Sequence, residues 1–316
     1  MLRLINLLDN SERSVDAQAL EKEQIKNFWI EAENPTDQEM EVLSKKLDVP
    51  KDLLSPPEIA TYATLHLLES SAILQFSSLD SDLNARNALP VTLCFSKDWV
   101  LTVCKKPVPA VKKAKERLHK KVLDKPSYVV YSVLDEISAT YFEYLERVED
   151  QTRDIEEKMI ERADKASMKE LFLLKSDLIT FNKLLWYERG ALFSLKKLDA
   201  LYITKEFKEM VDDVHDDITR QIDIVETFRE VLSDALDAYL STVSNTINSS
   251  IKRLTVIVLY LTVISTILVF PNTIATVFGI PVIGSNINPY FVIGLLAVST
   301  IIPAVWLLRK QWFAPD

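Results

Sequence analysis

The sequence is poor in glycine, histidine and cysteine, and each shortage excludes something. Only four of its 316 residues are glycine, which favours long helices. The three histidines, His66, His119 and His215, lie outside the long apolar segments, which argues against a soft-metal site in those segments. Cys94 and Cys104 fall in neighbouring predicted strands without further Cys or His at ligand spacing, so we expect reduced, structural thiols.

An excess of basic residues is also missing. The net charge is −9, which argues against a nucleic-acid partner because phosphate binding needs a basic face. The acidity suits a protein that meets cations, although solubility alone explains it equally well. The sequence contains no phosphate loop, no His-Glu-x-x-His cluster and no nucleophile motif, so we do not expect an enzyme.

Charged residues are absent between Arg253 and Arg309. Within this interval, residues 254–278 form an apolar run that would span roughly 37 Å as a helix. Residues 290–308 form a second run of roughly 28 Å, against a hydrocarbon core of about 30 Å. The sequence therefore predicts two transmembrane helices near its C-terminal end.

Basic residues flank the outer ends of these two helices. Lys252 and Arg253 precede the first, and the tail 309–316 begins with Arg309 and Lys310. The connecting loop, residues 279–289, carries no charge. This asymmetry predicts a multi-pass protein of the cell membrane, with both termini cytosolic and 279–289 external. The first ten residues become polar too quickly for a signal peptide, so we expect the large domain to stay in the cytosol.

Residues 1–131 are predicted to form a cytosolic α/β domain. Alternation of apolar and polar residues predicts strands. After Asn34-Pro35-Thr36, apolar residues recur at helical spacing and predict a helix. The expected strands are 28–33, 62–74, 88–96 and 98–106, the last two as a hairpin, and the expected helices are 34–47 and 109–123.

Residues 132–253 are predicted to be helical. They begin with a hairpin that turns near Lys165–Ser167, followed by a helix from about Thr204. Neither proline nor glycine occurs from 191 to 270, so this helix is expected to reach Phe278, over roughly 110 Å. A helix of that length needs companions, which implies a homo-oligomer.

Polar residues recur every eleven positions along that helix, at Glu226, Asp237 and Asn248. Eleven residues make about three turns, so these side chains share one face. For Glu226 we favour plain solvent exposure. For Asn248 we favour a place on a central water-filled path.

Two stretches, 212–248 and 92–118, together with the paired C-terminal apolar helices, resemble the CorA family of magnesium and cobalt transporters. The resemblance covers almost the whole chain. It implies a funnel-shaped homopentamer with a cytosolic α/β/α sandwich, a stalk of long helices, five pore-lining helices (254–278) and an outer ring of second helices (290–308).

The resemblance also assigns roles to individual residues. Asp213 matches a stalk aspartate that binds regulatory divalent metal with a neighbouring subunit, and Asp216, one turn away, is expected to assist. Asp237 matches an acidic ring at the cytosolic mouth of the pore. Asn248 matches the polar ring where a hydrated ion rests. The hydrophobic gate positions match Ile251 and Leu254.

The chain departs from the family pattern at the outer end of the first membrane helix. Gly279-Ile280-Pro281 replaces the family's Gly-Met-Asn, and the external loop is neutral where the family's is usually acidic. The first membrane segment is also seven residues longer, and Leu-Thr-Val-Ile occurs twice, at 254–257 and 261–264. Seven residues are nearly two turns, so the gate is expected at either Leu254 or Leu261.

Hydroxyl groups along the first membrane helix allow two interpretations. They either bond to carbonyls of their own helix, or some of them line the pore. On the second interpretation the path runs past Thr255, Val258, Thr262 and Thr273. Pro271 would free a backbone carbonyl, which Thr266, Thr273 or Thr276 is expected to satisfy.

The function implied by the resemblance is divalent-cation transport. The expected ion is Mg²⁺, both transported and regulatory, with uptake of Co²⁺ and Ni²⁺ and gating by cytosolic divalent ions. One alternative is transport of Zn²⁺ or another divalent metal. A second alternative is a non-conducting, membrane-anchored metal sensor or scaffold, because the Gly-Met-Asn signature is missing.

Overall fold

The computed structural model describes residues 2–57, 63–120, 125–161, 165–200, 202–280 and 287–309. The chain divides into two compact units, Met1–Tyr239 and Leu240–Asp316. The strands are β1 (Leu2–Asn6), β2 (Glu12–Val15), β3 (Phe28–Glu33), β4 (Thr64–Leu67), β5 (Ser71–Ser78), β6 (Leu89–Ser96) and β7 (Trp99–Cys104). The helices are α1 (Ala17–Lys22), α2 (Asp37–Leu47), α3 (Lys51–Leu54), α4 (Pro109–Lys120), α5 (Pro126–Glu161), α6 (Lys165–Lys196), α7 (Lys205–Phe278) and α8 (Pro289–Arg309).

The first unit contains one seven-stranded sheet in the order β2-β1-β3-β7-β6-β5-β4. The β3–β7 pair is parallel, and the other pairs are antiparallel. Alternate side chains point to opposite faces, as strand geometry requires. Leu101 and Val103 join a core with α1–α3 on one face, whereas Val100 and Trp29 join a second core with α4–α7 on the other. The unit is thus a sheet between two helical layers.

The strand predictions were confirmed in part. β3 has the expected bounds, and β6 and β7 form the expected antiparallel hairpin. The single strand expected at 62–74 was wrong: a turn after β4, closed by the bond from the Leu68 amide to the Ser71 carbonyl, separates it from β5. The polar pair Glu69-Ser70 interrupts the alternation at that point. β1 and β2 were not predicted, although they pair with each other and β1 also pairs with β3.

The helix that follows β3 begins with a complete capping box. The Thr36 hydroxyl accepts a hydrogen bond from the Glu39 amide at 3.3 Å, and the Glu39 carboxylate accepts one from the Thr36 amide at 2.7 Å. These bonds satisfy two amides that a helix start leaves without partners. The helix predicted at 34–47 therefore starts at Asp37, directly after its cap.

Replacing Thr36 with alanine is expected to destabilise the first unit by about 1 kcal/mol, because one helix amide loses its acceptor. For a domain of this size the melting temperature would fall by roughly 2–4 °C. Thr227→Ala is a matched control, since the exposed Thr227 hydroxyl donates only to the Asp223 carbonyl of its own helix. Thermal unfolding followed by circular dichroism compares the two variants. A smaller loss in Thr36→Ala than in Thr227→Ala would contradict the capping account.

The long helices differ from expectation at two boundaries. α5 starts at Pro126, six residues before Ser132, because proline suits the first turn of a helix. Lys165–Ser167 are already helical in α6, and residues 162–164, between α5 and α6, lie outside the described residues. α7 was confirmed as one helix of 74 residues from Lys205. Its start is capped by the Thr204 hydroxyl, which accepts from the Phe207 amide at 3.1 Å.

Both cysteines are free and buried in the sheet, as expected. Burial raises the pKa of each thiol to about 12. A thiol with so high a pKa is almost entirely protonated at neutral pH and therefore unreactive. Cys94 and Cys104 thus act as small apolar side chains in the two cores.

Candidate functional site

One face of α7 in the first unit is acidic and exposed, while the opposite face is buried. Val214, Ile218 and Val225 pack into the core. The exposed positions repeat at alternating steps of three and four residues, the spacing of one helix face. We call them the stalk stripe: Asp213, Asp216, Arg220, Asp223, Thr227, Glu230, Asp234 and Asp237.

Three side chains near the start of α7, of which only Asp216 belongs to the stalk stripe, could together hold a metal ion. Oxygen or nitrogen atoms of Asp212, His215 and Asp216 lie within 4.8 Å of one another. The resemblance assigns a regulatory role to Asp213 and Asp216, whereas Asp212 and His215 were not predicted. Their spacing in the sequence does place Asp212, His215 and Asp216 together, because positions i, i+3 and i+4 share a helix face. Asp213 is not one of these three, although it lies one turn from Asp216 on the same exposed side of α7.

The carboxylates around Asp213 repel one another. Burial raises the pKa of Asp217, and the carboxylates of Asp135 and Asp213 raise it further, against the lowering effect of Arg220. Burial also raises the pKa of Tyr131, with Asp135 and Asp213 again adding to the effect. The field at this point is therefore negative. Any cation that neutralised it would be bound favourably.

The first residues of the second unit include the predicted cytosolic end of the ion path. Asn248 is exposed there. Ile251 and Leu254 are 54% and 60% exposed, so neither is buried within its own unit. Asp237, at the end of the stalk stripe, is exposed in the first unit.

The uncharged part of α7 has two distinct sides. Its partly covered residues lie on one side of the helix: Leu259, Val263, Thr266, Ile267, Pro271, Ile274 and Phe278. α8 shows the same pattern at Val292, Leu295, Leu296, Ser299, Thr300, Pro303 and Ala304. Two helices that pack side by side give this pattern. Leu254, Val258 and Leu261, three predicted path residues, lie on the opposite, exposed side of α7.

The predicted path threonines bond to their own helix. The hydroxyls of Thr255, Thr262 and Thr273 donate to the carbonyls four residues earlier at 2.8–2.9 Å. Each hydroxyl oxygen keeps acceptor capacity for water or a hydrated ion. In this geometry a hydroxyl can therefore bond to its own helix and also line a pore.

Pro271 removes the amide that would otherwise bond to the Ile267 carbonyl. The threonines expected to replace that bond do not do so. Thr266 donates to the Thr262 carbonyl, and Thr276 donates to the Asn272 carbonyl. Asn272, which was not predicted as a path residue, lies on the exposed side of the helix and offers a side-chain amide there.

The tripeptide 279–281 is described only in part, because Pro281 lies outside the described residues. The Gly279 amide donates to the Ala275 carbonyl at 2.9 Å and closes the end of α7. A Cβ atom at Gly279 would lie 3.1 Å from the Ala275 carbonyl oxygen, closer than normal contact. Glycine therefore fits this helix end better than a larger residue. Ile280 is 45% exposed.

Length and hydropathy single out one described helix as able to cross a bilayer. The helix α7 contains an 18-residue window of mean hydropathy 2.4 with no buried residue. α8 is also apolar over Pro289–Val305, although that stretch is shorter. An uncharged helical segment of this length, followed by a second apolar helix, is typical of a membrane protein.

Comparison with known proteins gives the family. The family described as "CorA-like Mg2+ transporter protein" matches residues 26–310, and the chain belongs to it. A cobalt/magnesium transport protein CorA of Thermotoga maritima is 29% identical over 249 residues, covering 76% of this chain and 69% of the relative. The CorA of Methanocaldococcus jannaschii is 25% identical over 304 residues, covering 90% of each chain. The solved structure of the complete Methanocaldococcus jannaschii magnesium transporter covers 99% of both chains with a TM-score of 0.73 at 22% identity, which shows the shared fold.

Proposed function

We propose that this chain assembles into a homopentameric Mg²⁺ channel of the cell membrane, with both termini in the cytosol. The observation that carries the proposal is one unbroken helix, α7, which joins an acidic exposed stripe to an uncharged exposed face. A strongly hydrated cation could be concentrated by the stripe and pass the uncharged segment with its water shell. The helices 254–278 would line the pore, and the helices 290–308 would surround them.

The direct test is ion flux into liposomes containing the pure protein. Uptake of Mg²⁺, Co²⁺, Ni²⁺ and Zn²⁺ is measured separately with fluorescent or tracer ions. Mg²⁺ flux saturating with concentration is the expected result. Zn²⁺ flux without Mg²⁺ flux would favour the alternative metal, and no flux of any of the four would favour a non-conducting sensor.

Regulation is assigned to the negative field around Asp213. Internal Mg²⁺ bound there would reduce the repulsion among the carboxylates and hold the assembly closed, and its loss would let the stalk stripes separate. Asp213→Ala is therefore expected to raise the internal Mg²⁺ concentration needed for half inhibition by about tenfold, the loss of roughly 1.4 kcal/mol of binding. Flux inhibition measured over a range of internal Mg²⁺ gives this value. Asp150→Ala, which removes an exposed carboxylate from α5, is the control.

An unchanged inhibition curve for Asp213→Ala would contradict the regulatory role while leaving transport intact. Asp216→Ala and His215→Ala then separate the two candidate sites. Loss of inhibition in those two variants alone would move the regulatory ion to the group of Asp212, His215 and Asp216.

A further inference from the structure

Two polar side chains in the uncharged part of α7 lack the hydrogen bond that their neighbours make. The Ser265 hydroxyl and the Asn272 amide have no side-chain hydrogen bond within the described residues, and both side chains are exposed. The five threonines of residues 254–278 each donate to a carbonyl of their own helix: Thr255, Thr262, Thr266, Thr273 and Thr276. The polar groups of Ser265 and Asn272 are therefore open to a partner beyond these residues.

An open amide in a membrane helix is unfavourable against lipid, because hydrocarbon offers no hydrogen bonds to replace those of water. Asn272 lies six residues before Phe278, so roughly 9 Å of helix separates it from the outer end of α7. Its side chain is too short to carry the amide over that distance to the interface, as lysine or arginine can. The exposed side of α7 at Asn272 therefore meets water or protein.

Ser265 and Asn272 lie on one line of exposed residues along α7. Residues seven positions apart are nearly two turns apart and share a face. This first line carries a valine, a serine, an asparagine and a glycine: Val258, Ser265, Asn272 and Gly279. The adjacent exposed line is apolar throughout: Leu254, Leu261, Leu268 and Ala275. The open polar groups on this side of the helix thus lie beyond Leu261, toward the external end.

We propose that Asn272, followed by Ser265, recognises the hydrated cation on the external side of the gate. The inference rests on the proposed channel and names the side chains that select its ion. In a ring of copies the Asn272 amides would form one polar layer, and the Ser265 hydroxyls would form a second layer roughly 10 Å closer to the cytosol. Mg²⁺ gives up its bound water reluctantly, so the amide oxygens would accept hydrogen bonds from that water rather than bind the metal.

The position of Asn272 relative to the expected gate supports this role. Asn272 follows Leu261 by eleven residues, about three turns, so the two side chains share a face and lie roughly 16 Å apart along the helix. A cation that enters from outside would meet Asn272 first, then Ser265, and then the apolar layer at Leu261. Recognition would thus precede the step at which the pore opens or closes.

The dependence of flux on Mg²⁺ concentration in liposomes tests the role of Asn272. Asn272→Leu keeps the size of the side chain and removes the amide, so the Mg²⁺ concentration for half-maximal flux should rise about tenfold. Asn272→Gln keeps the amide and should retain most of the natural affinity. Thr266→Val is the matched control, because the Thr266 hydroxyl donates to the Thr262 carbonyl on the partly covered side of α7. The control should leave the half-maximal concentration unchanged.

Thiol labelling of the detergent-solubilised full chain gives a second readout that needs no flux. Ser265→Cys is treated with a polar maleimide, and the native thiols stay silent because burial raises their pKa to about 12. Mg²⁺ held at Asn272 should slow labelling at position 265 several-fold. The double variant Ser265→Cys/Asn272→Leu should lose this protection, although closure of the gate by regulatory Mg²⁺ would persist in it. Tyr290→Cys, at the exposed start of α8, should label at the same rate with and without Mg²⁺.

Three results would overturn the proposal. One is an unchanged half-maximal Mg²⁺ concentration in Asn272→Leu, which would leave transport itself standing. Another is equal Mg²⁺ protection of position 265 with and without the Asn272 amide. The third is loss of the oligomer in Asn272→Leu by native mass spectrometry, which would make the amide a contact between copies. Absence of flux in the natural chain would contradict the proposed channel instead, and protection at position 265 would still decide whether Asn272 holds the ion.

Discussion

Replacing Leu261 with asparagine is expected to raise Mg²⁺ flux at inhibiting internal Mg²⁺ by about tenfold, a change of about 1.4 kcal/mol in the barrier. A ring of leucines closes a pore by expelling water, and a polar amide lets water remain. Leu261 lies on the exposed side of α7, and three residues before it the exposed Val258 extends the apolar surface. Leu254 shares that side but directly follows Lys252 and Arg253, which keep water nearby.

Two control variants test whether the effect is specific to the position of Leu261 along the helix. Leu254→Asn should change the inhibited flux much less than Leu261→Asn, because its surroundings are already wet. Val263→Asn, on the partly covered side, should leave gating unchanged. A large leak in Leu254→Asn with none in Leu261→Asn would place the gate one heptad closer to the cytosol. No leak in either variant would contradict closure by dewetting.

The second large effect is expected at Glu188, a buried carboxyl group in the cytosolic domain. Its side chain is only 1% exposed. Its Oε1 atom accepts hydrogen bonds from the Ser77 amide at 3.1 Å and from the Tyr141 hydroxyl at 2.8 Å. Burial raises the pKa of Glu188 well above its ordinary value of 4.5, although these two hydrogen bonds oppose the rise. The carboxyl group links β5, α5 and α6 at the centre of the unit.

Glu188→Ala is expected to destabilise the domain by about 3 kcal/mol, because the Ser77 amide loses this buried acceptor and the shortened side chain leaves a cavity. The Tyr141 hydroxyl keeps the Ser77 carbonyl as an acceptor. The melting temperature would fall by roughly 6–12 °C. Glu188→Gln keeps an oxygen acceptor of the same size and should be far less affected. Thermal unfolding of the full chain in detergent, followed by near-ultraviolet circular dichroism, compares the variants. Equal losses in both would show that the carboxyl group matters for more than its acceptor oxygen.

The pH dependence gives a separate test of the raised pKa of Glu188. In the unfolded chain this group ionises near pH 4.5, whereas in the folded chain it stays protonated to higher pH. Its contribution to stability is therefore complete below pH 4.5 and is lost as pH rises, by about 1.4 kcal/mol per pH unit up to the folded pKa. Glu188→Gln removes this slope. Its melting temperature relative to the natural chain should be higher at about pH 8 than at about pH 5; no change would contradict a protonated Glu188.

Glu188 also shows where sequence reasoning ends. Its spacing from Phe181 and Leu185, seven and three residues earlier, places it on the apolar side of α6, but that spacing does not indicate what it bonds to. Its burial depends on Ser77, 111 positions earlier, and on Tyr141, 47 positions earlier. No pattern among the residues near Glu188 indicates partners that lie so far away in the sequence. The same holds for Asp212, whose pairing with Lys196 depends on two helices meeting.

The sheet likewise contains one strand pairing that could be predicted from the sequence and one that could not. The β6–β7 hairpin was predictable because two alternating strands are joined by only two residues, Lys97 and Asp98. The parallel pairing of β3 with β7 was not, since Phe28 and Trp99 are partners across a long stretch of chain. The first strand was not predicted because its five residues, Leu2–Asn6, are too few to show a clear alternation.

By itself, the sequence determined the uncharged membrane segment, the unbroken α7, the acidic stalk residues and the family resemblance. Each of these depends on composition or on spacing within one helix, and such local signals survive without knowledge of partners. The tertiary structure alone decided which side of α7 is covered, which carboxyl group is buried, and which large apolar side chains of α6 stay exposed. Those properties depend on contacts between residues far apart in the chain, where burial rather than local pattern sets the energy.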